Sequence, residues 1–198
     1  MAILTDLIVE WKDRLEREQM PVESTGNKLL CMNQFRFILN TTRIPGERCD
    51  TLFTASPGQS RHVLVLYKKQ FFSMQVYSGE RRLSRNELQA QISKIVEMEK
   101  HETFERQEDV AILTSLDRTT WALARRELGE EEVNRRSFEE IETAIFVFCM
   151  DDTTCPSMDE RLTLTLLGTD CQNRFFDKST SFISFADGNV GINGGSYV

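Results

Sequence analysis

The sequence predicts an α/β domain, more narrowly a mixed sheet with flanking helices of the α+β kind. Three observations carry this. A β-branched, apolar run, HVLVLYK, begins at His62 and has the look of a buried strand. Capping boxes at Ser84 and Ser137 announce helices, each serine followed three residues later by glutamate. Helical and extended patterns then alternate along the chain without internal repeats or low-complexity linkers, as a layered fold requires.

The elements follow in order. Residues 2–18 read as an amphipathic helix with Ile3, Leu4, Leu7, Ile8, Trp11 and Leu15 on one face. The polar face mixes both charges, so the stripe reads as core-facing rather than membrane-binding. Pro21 and Gly26 bracket a turn. CMNQFRFILN predicts a shorter helix, closed by Ile44-Pro45-Gly46. His62 onward and Gln70–Tyr77 predict a hairpin turning at Lys68-Lys69. The box at Ser84 opens a helix that buries Leu88, Ile92, Ile95 and Val96. Lys100 to Asp109 is charged enough to be a solvated loop, and VAILT reads as a short buried strand or extended segment. Asp117 caps a helix with Trp121, Ala124 and Leu128 inside and Gly129 at its end. Glu130 to Glu132 reads as a solvated turn. Ser137 opens the next helix. AIFVFCM is open between helix and strand by periodicity, and the strand is favoured. Ser157 opens a helix to Leu167. Strands over 179–186 and 189–193 turn at Asp187-Gly188.

Composition narrows the function classes. The chain has 198 residues, 40% hydrophobic and 28% charged, which suits one soluble globular domain. A net charge of −7 with no basic stripe argues against nucleic-acid binding, which needs clustered Lys and Arg. The apolar run 144–150 is too short for a transmembrane segment, and no signal-peptide pattern opens the chain. The five cysteines, Cys31, Cys49, Cys149, Cys155 and Cys171, read as free thiols of a soluble intracellular protein. None forms a CxxC pair and the two histidines are distant, so no metal site is predicted. Asn40-Thr41-Thr42 matches a glycosylation acceptor by chance.

Residue chemistry alone identifies no catalytic centre. The glycines of GNVGINGG suggest a phosphate cradle, but such a loop needs a following helix whose N-terminal amides hold the anion. His62, at the start of an apolar strand, reads as a structural hydrogen-bonder, and His101 as a solvated side chain. No serine or cysteine sits in a nucleophile elbow.

Three blocks go further. LCMNQFRFILNTTRIPGERCD, LTSLDRTTWALARREL and NRFFDKSTSFISFADGNVGIN resemble the N-terminal catalytic half of the choline/carnitine acyltransferases, in the family's order, between about Trp11 and Asn193. NTTRIPG, SRHVLVLYKKQFF and FISF are most similar to the carnitine palmitoyltransferases of the mitochondrial outer membrane. The resemblance implies a partial chloramphenicol-acetyltransferase-like domain over 1–198, with both ends of the family domain missing. It implies acyl-coenzyme A and carnitine as substrates, no tightly bound cofactor, a role in fatty-acid metabolism, and a mitochondrial location facing the cytosol. In the family a histidine takes the proton of the carnitine or choline hydroxyl, whose oxygen attacks the thioester carbonyl of the acyl-coenzyme A. General-base help of this kind contributes about 10²- to 10⁴-fold in rate.

Laying GINGGSYV on the family's final motif puts Gly195 at the acid and Ser196 at the catalytic histidine. A serine hydroxyl cannot accept that proton, so the chain alone is expected to be inactive. Arg174 and Asp177 match the family hallmark and imply an ion pair supporting the active site; a purely structural pair is the competing reading. A catalytically silent binding or regulatory relative is the alternative function. A partial domain would also leave sheet edges and apolar faces uncovered, which predicts self-association.

Overall fold

The computed structural model describes residues 1–101 and 109–195. In chain order it contains α1 (Ala2–Glu16), β1 (Ser24–Thr25), β2 (Lys28–Leu29), a 3₁₀ turn (Met32–Phe37), β3 (Thr41–Ile44), β4 (Thr51–Thr54), β5 (His62–Tyr67), β6 (Gln70–Gln75), β7 (Tyr77–Ser78) and β8 (Arg81–Arg82). Then come α2 (Arg85–His101), a second 3₁₀ turn (Val110–Ser115), α3 (Arg118–Leu128), α4 (Glu132–Thr143), β9 (Val147–Met150), α5 (Met158–Leu167), β10 (Thr180–Ser184) and β11 (Val190–Gly194). The predicted α/β class, with a mixed sheet and flanking helices, is what forms.

The sheet runs β11-β10-β9-β5-β6. Strands β5, β9 and β10 are mutually parallel, and an antiparallel strand closes each side. All six residues of β5 are buried, because β5 lies inside the sheet and both of its faces are covered. Its alternation feeds two cores. Val63, Val65 and Tyr67 join Phe146, Phe148 and Phe182 on the face that receives α1 and α2. Leu64 and Leu66 join Val147, Cys149, Ile183 and Ile141 on the other. Phe146 and Phe182 meet edge to face at 5.1 Å, a geometry that adds about 0.5–1.5 kcal/mol beyond burial.

Several elements form as the sequence predicts. Ser84 and Glu87 close the capping box of α2, and Ser157 and Glu160 that of α5. Asp117 accepts the Thr120 amide at the head of α3. AIFVFCM resolves as a strand, β9. The β5–β6 hairpin turns at Lys68-Lys69, both with positive φ, 47° and 69°.

Others differ, each for a local reason. Helix α1 buries Ala2, Thr5, Val9 and Lys12, while Ile3 and Leu7 are exposed. The smaller side chains face inward, with Leu4, Ile8 and Trp11 flanking them. Lys12 can be buried because it pairs with Glu16 at 2.8 Å and lies over the Tyr77 ring. CMNQFRFILN makes a 3₁₀ turn, and Pro45-Gly46 stands in the connection of a hairpin, β3–β4, rather than ending a helix. VAILT is 3₁₀ rather than extended, since the Thr114 and Ser115 hydroxyls donate to the carbonyls of Ala111 and Ile112. Ser137 lies inside α4, where its hydroxyl donates to the Val133 carbonyl, and the helix begins five residues earlier at Glu132. The expected loop from Lys100 is helical through His101, and its residues 102–108 lie outside the described residues.

Candidate functional site

Arg174 and Asp177 lie in two clusters on the segment that enters β10. The first surrounds Arg174, which is 1% exposed. Its guanidinium grips both carboxylate oxygens of Asp151, at 3.0 and 2.7 Å. It also donates to the Leu164 and Thr165 carbonyls in the last turn of α5 and to the Asn173 carbonyl. Every face of this cation is used in joining α5 to the end of β9. A planar guanidinium fork matches a carboxylate and helix carbonyls at once.

The second cluster surrounds Asp177, also 1% exposed. One carboxylate oxygen accepts the Trp121 indole at 2.7 Å; the other accepts Arg118 at 2.8 Å and Arg43 at 3.2 Å. Asp50 meets the same two arginines, at 2.7 and 3.5 Å. Two anions and two cations therefore alternate across β3, its following loop, α3 and the approach to β10. The Arg174–Asp177 ion pair implied by the resemblance is replaced by these separate partners. The physical reason is that Arg174 sits beside α5 while Asp177 turns to α3.

Beyond Asp177 the chain is sewn to β3. The Arg43 amide donates to the Asp177 carbonyl, and the Ser179 amide to the Thr41 carbonyl. The hydroxyls of Ser179 and Thr180 both donate to the Ile38 carbonyl, at 2.8 and 2.6 Å. Between them Lys178 is buried, its amine within 3.1 Å of the Thr42 hydroxyl and the Ile141 and Glu142 carbonyls. Burial pushes this amine down to about 7, while the Glu142 carboxylate pulls the other way.

Strand β11 ends against this cluster. Thr180 pairs with Gly194, and the Gly195 amide donates to the Ser179 carbonyl at 3.1 Å. Gly191 lies against the Thr165 side chain, which a Cβ at that position would overlap, so α5 and β11 touch only because residue 191 has none. Ser196 lies outside the described residues; the structure carries the backbone as far as Gly195, one residue short of it.

The other candidates lie apart. His62 is buried, and its Nε2 donates to the Glu140 carbonyl at 2.8 Å, the structural role its position predicts. His101 is the last residue of α2 rather than part of a loop; its side chain lies outside the described residues. Burial pushes the Cys149 thiol up to about 12 and raises Cys155 as well, so neither offers a thiolate near neutrality. Among the described residues no group of three His, Cys, Asp or Glu side chains gathers for a metal, and no helix is long and apolar enough to cross a membrane. Sequence reasoning quoted Lys178 inside the NRFFDKSTSFISFADGNVGIN block without giving it a role, and it singled out none of Arg118, Arg43 and Asp50. The signal for Lys178 was present: it follows Asp177 and precedes a strand whose residues are nearly all buried.

Known proteins place these clusters in a family. The sequence model of the family described as Choline/Carnitine o-acyltransferase matches residues 1–196. The choline O-acetyltransferase of Danio rerio is 35% identical over 205 residues, covering 96% of this chain and 32% of that protein. The muscle isoform of carnitine O-palmitoyltransferase 1 from Homo sapiens is 35% identical over 193 residues, 94% of this chain and 25% of its own length. The carnitine O-acetyltransferase of Homo sapiens is 32% identical over 204 residues, 96% of this chain and 32% of that protein. The chain spans a quarter to a third of these relatives' lengths.

Proposed function

This chain belongs to the choline/carnitine O-acyltransferase family, and on that premise we propose that it carries the scaffold of a site for exchanging acyl groups between coenzyme A and carnitine. The observation that supports this reading most is the family match running to residue 196, just where β11 leaves the Asp177–Thr180 cluster. In the proposed reaction the carnitine hydroxyl loses its proton to a base, its oxygen bonds to the thioester carbonyl carbon, and the coenzyme A thiolate leaves and is protonated. The scaffold's part is to hold the last strand rigidly, because alignment of the two substrates supplies much of the rate.

Position 196 itself is a serine. Its hydroxyl does not accept a proton near neutrality, so the isolated chain is proposed to be catalytically silent. The test is release of free coenzyme A thiol from palmitoyl-coenzyme A by the purified chain, with and without carnitine. No carnitine-dependent release is expected; robust release overturns the placement of Ser196 at the base position.

Within the family, the long-chain carnitine class, fatty-acid oxidation and a mitochondrial location rest on the likeness of NTTRIPG, SRHVLVLYKKQFF and FISF to the palmitoyltransferases. Subcellular fractionation tests the location, with recovery alongside mitochondrial markers expected. A second reading, a binding relative that modulates an active enzyme, is favoured by Ser196 together with uncovered apolar surface. Met158, Leu162 and Leu166 form an exposed stripe along α5, and Ile192 on β11 is 63% exposed. Self-association is the expected consequence. Sedimentation velocity across a concentration series checks it, and a single monomer throughout refutes it.

A further inference from the structure

We propose that Lys178 is a pH-responsive latch that fastens the end of α4 to β3 and to the segment entering β10. Its amine is enclosed by three neutral oxygens: Thr42 Oγ1 at 3.0 Å, the Ile141 carbonyl at 3.1 Å and the Glu142 carbonyl at 2.9 Å. An ammonium has three N–H donors and satisfies all three, including two carbonyls in the last turn of α4. A neutral amine has two N–H donors and a lone pair, so one oxygen loses its partner.

The Thr42 hydroxyl supplies the alternative. It now donates to the Glu142 carbonyl at 3.3 Å while accepting from Lys178. With the amine neutral, it can rotate and donate to Nζ instead, giving up the carbonyl. The cluster thus has two discrete hydrogen-bond arrangements. The charged one is fully bonded but buries a cation; the neutral one relieves the burial, keeps both helix carbonyls on the amine and breaks the direct Thr42–Glu142 bond between β3 and α4. The depressed titration of this amine places the exchange close to neutrality.

The surrounding charges leave that balance intact. On α4, Glu142 favours the ammonium, but Arg125 of α3 claims its carboxylate. Glu140 of the same helix faces His62 and Ser73. On β3, Arg43 turns to Asp177 and Asp50, and the Asp177 carboxylate beside Lys178 in the chain is held by Trp121, Arg118 and Arg43. Among the described residues, the three hydrogen-bond contacts of the Lys178 amine are all uncharged oxygens. The latch controls the two amides that sew β3 to this segment, those of Arg43 and Ser179. It stands on these contacts and does not depend on the acyl-transfer reading.

The test is a pH titration of the whole chain with nitrogen-15-labelled lysines, followed by NMR at the side-chain nitrogens. The Lys178 signal is expected to titrate at about 7, well below the ordinary lysine value. The Ser179 and Arg43 amides are expected to shift with the same midpoint and to lose about tenfold in exchange protection above it, the scale of one hydrogen bond. In Lys178→Met those two amides no longer follow that midpoint. Glu142→Gln removes the carboxylate that favours the charged form and moves the Lys178 midpoint lower, a result that serves even where Lys178→Met does not fold. Titration of Lys178 together with the exposed lysines overturns the proposal, as does a low midpoint with both amides silent.

Discussion

Two buried cations show how this chain handles charge residue by residue. Arg174 meets a carboxylate in a two-pronged contact, whereas Lys178 meets only neutral oxygens. They therefore respond differently to mutation and to pH. Arg174→Met strips Asp151 of its main partner and is expected to destabilise the fold by about 3–5 kcal/mol, measured by urea unfolding. Adding Asp151→Asn should recover part of that loss, because the uncompensated anion goes with it. Lys178 carries the pH dependence. Its ordinary value is 10.5 and its folded value about 7, so between those limits the unfolded chain binds a proton that the folded chain does not. Stability from this group therefore rises as the pH is raised from about 7 towards 10.5. Urea midpoints across that range should climb in the native chain and flatten in Lys178→Met. The sequence makes Arg174 and Asp177 stand out, yet says nothing of which partner each takes. Their partners come from α3, α5, β3 and the end of β9, and pairing at such distances is decided by packing.

Among the elements, those with strong local instructions were legible and those dependent on distant partners were not. Ser84, Asp117 and Ser157 cap helices where expected, because a cap is a contact across three residues. Ser137 has the same motif and caps nothing, since α4 already begins at Glu132 and the Ser137 hydroxyl, inside the helix, donates to the Val133 carbonyl. The β3–β4 hairpin was hidden for a related reason: β3 is fixed by hydrogen bonds to residues 177–179, far along the chain. At β11 the contact is steric. Gly191→Ala drives a methyl group into Thr165 and is expected to cost about 1–3 kcal/mol through overpacking. Thr165→Ala shortens the opposing side chain, so the double variant should be more stable than the sum of the single effects predicts, a coupling that a double-mutant cycle in denaturant measures.

Across the whole molecule, one sheet divides two cores, and hairpins at both sides bring the chain back on itself. The class of fold was legible because the two faces of β5 are both apolar, which only a covered, interior strand tolerates. The site was half legible: its motif lies near the end of the chain, but its floor comes from residues 38–43. Those contacts link positions some 134 to 142 apart, as in Arg43 with Asp177 and Thr180 with Ile38. During synthesis this separation imposes an order. The ribosome makes the Ile38–Thr54 stretch early and leaves it without its permanent neighbours until Asp177 to Thr180 have emerged. A nascent chain halted before Asp177 should be cut by protease within β3 and β4, while one extended past Gly195 should resist; the arrival of residues 177–180 thus secures a segment made 134 residues earlier.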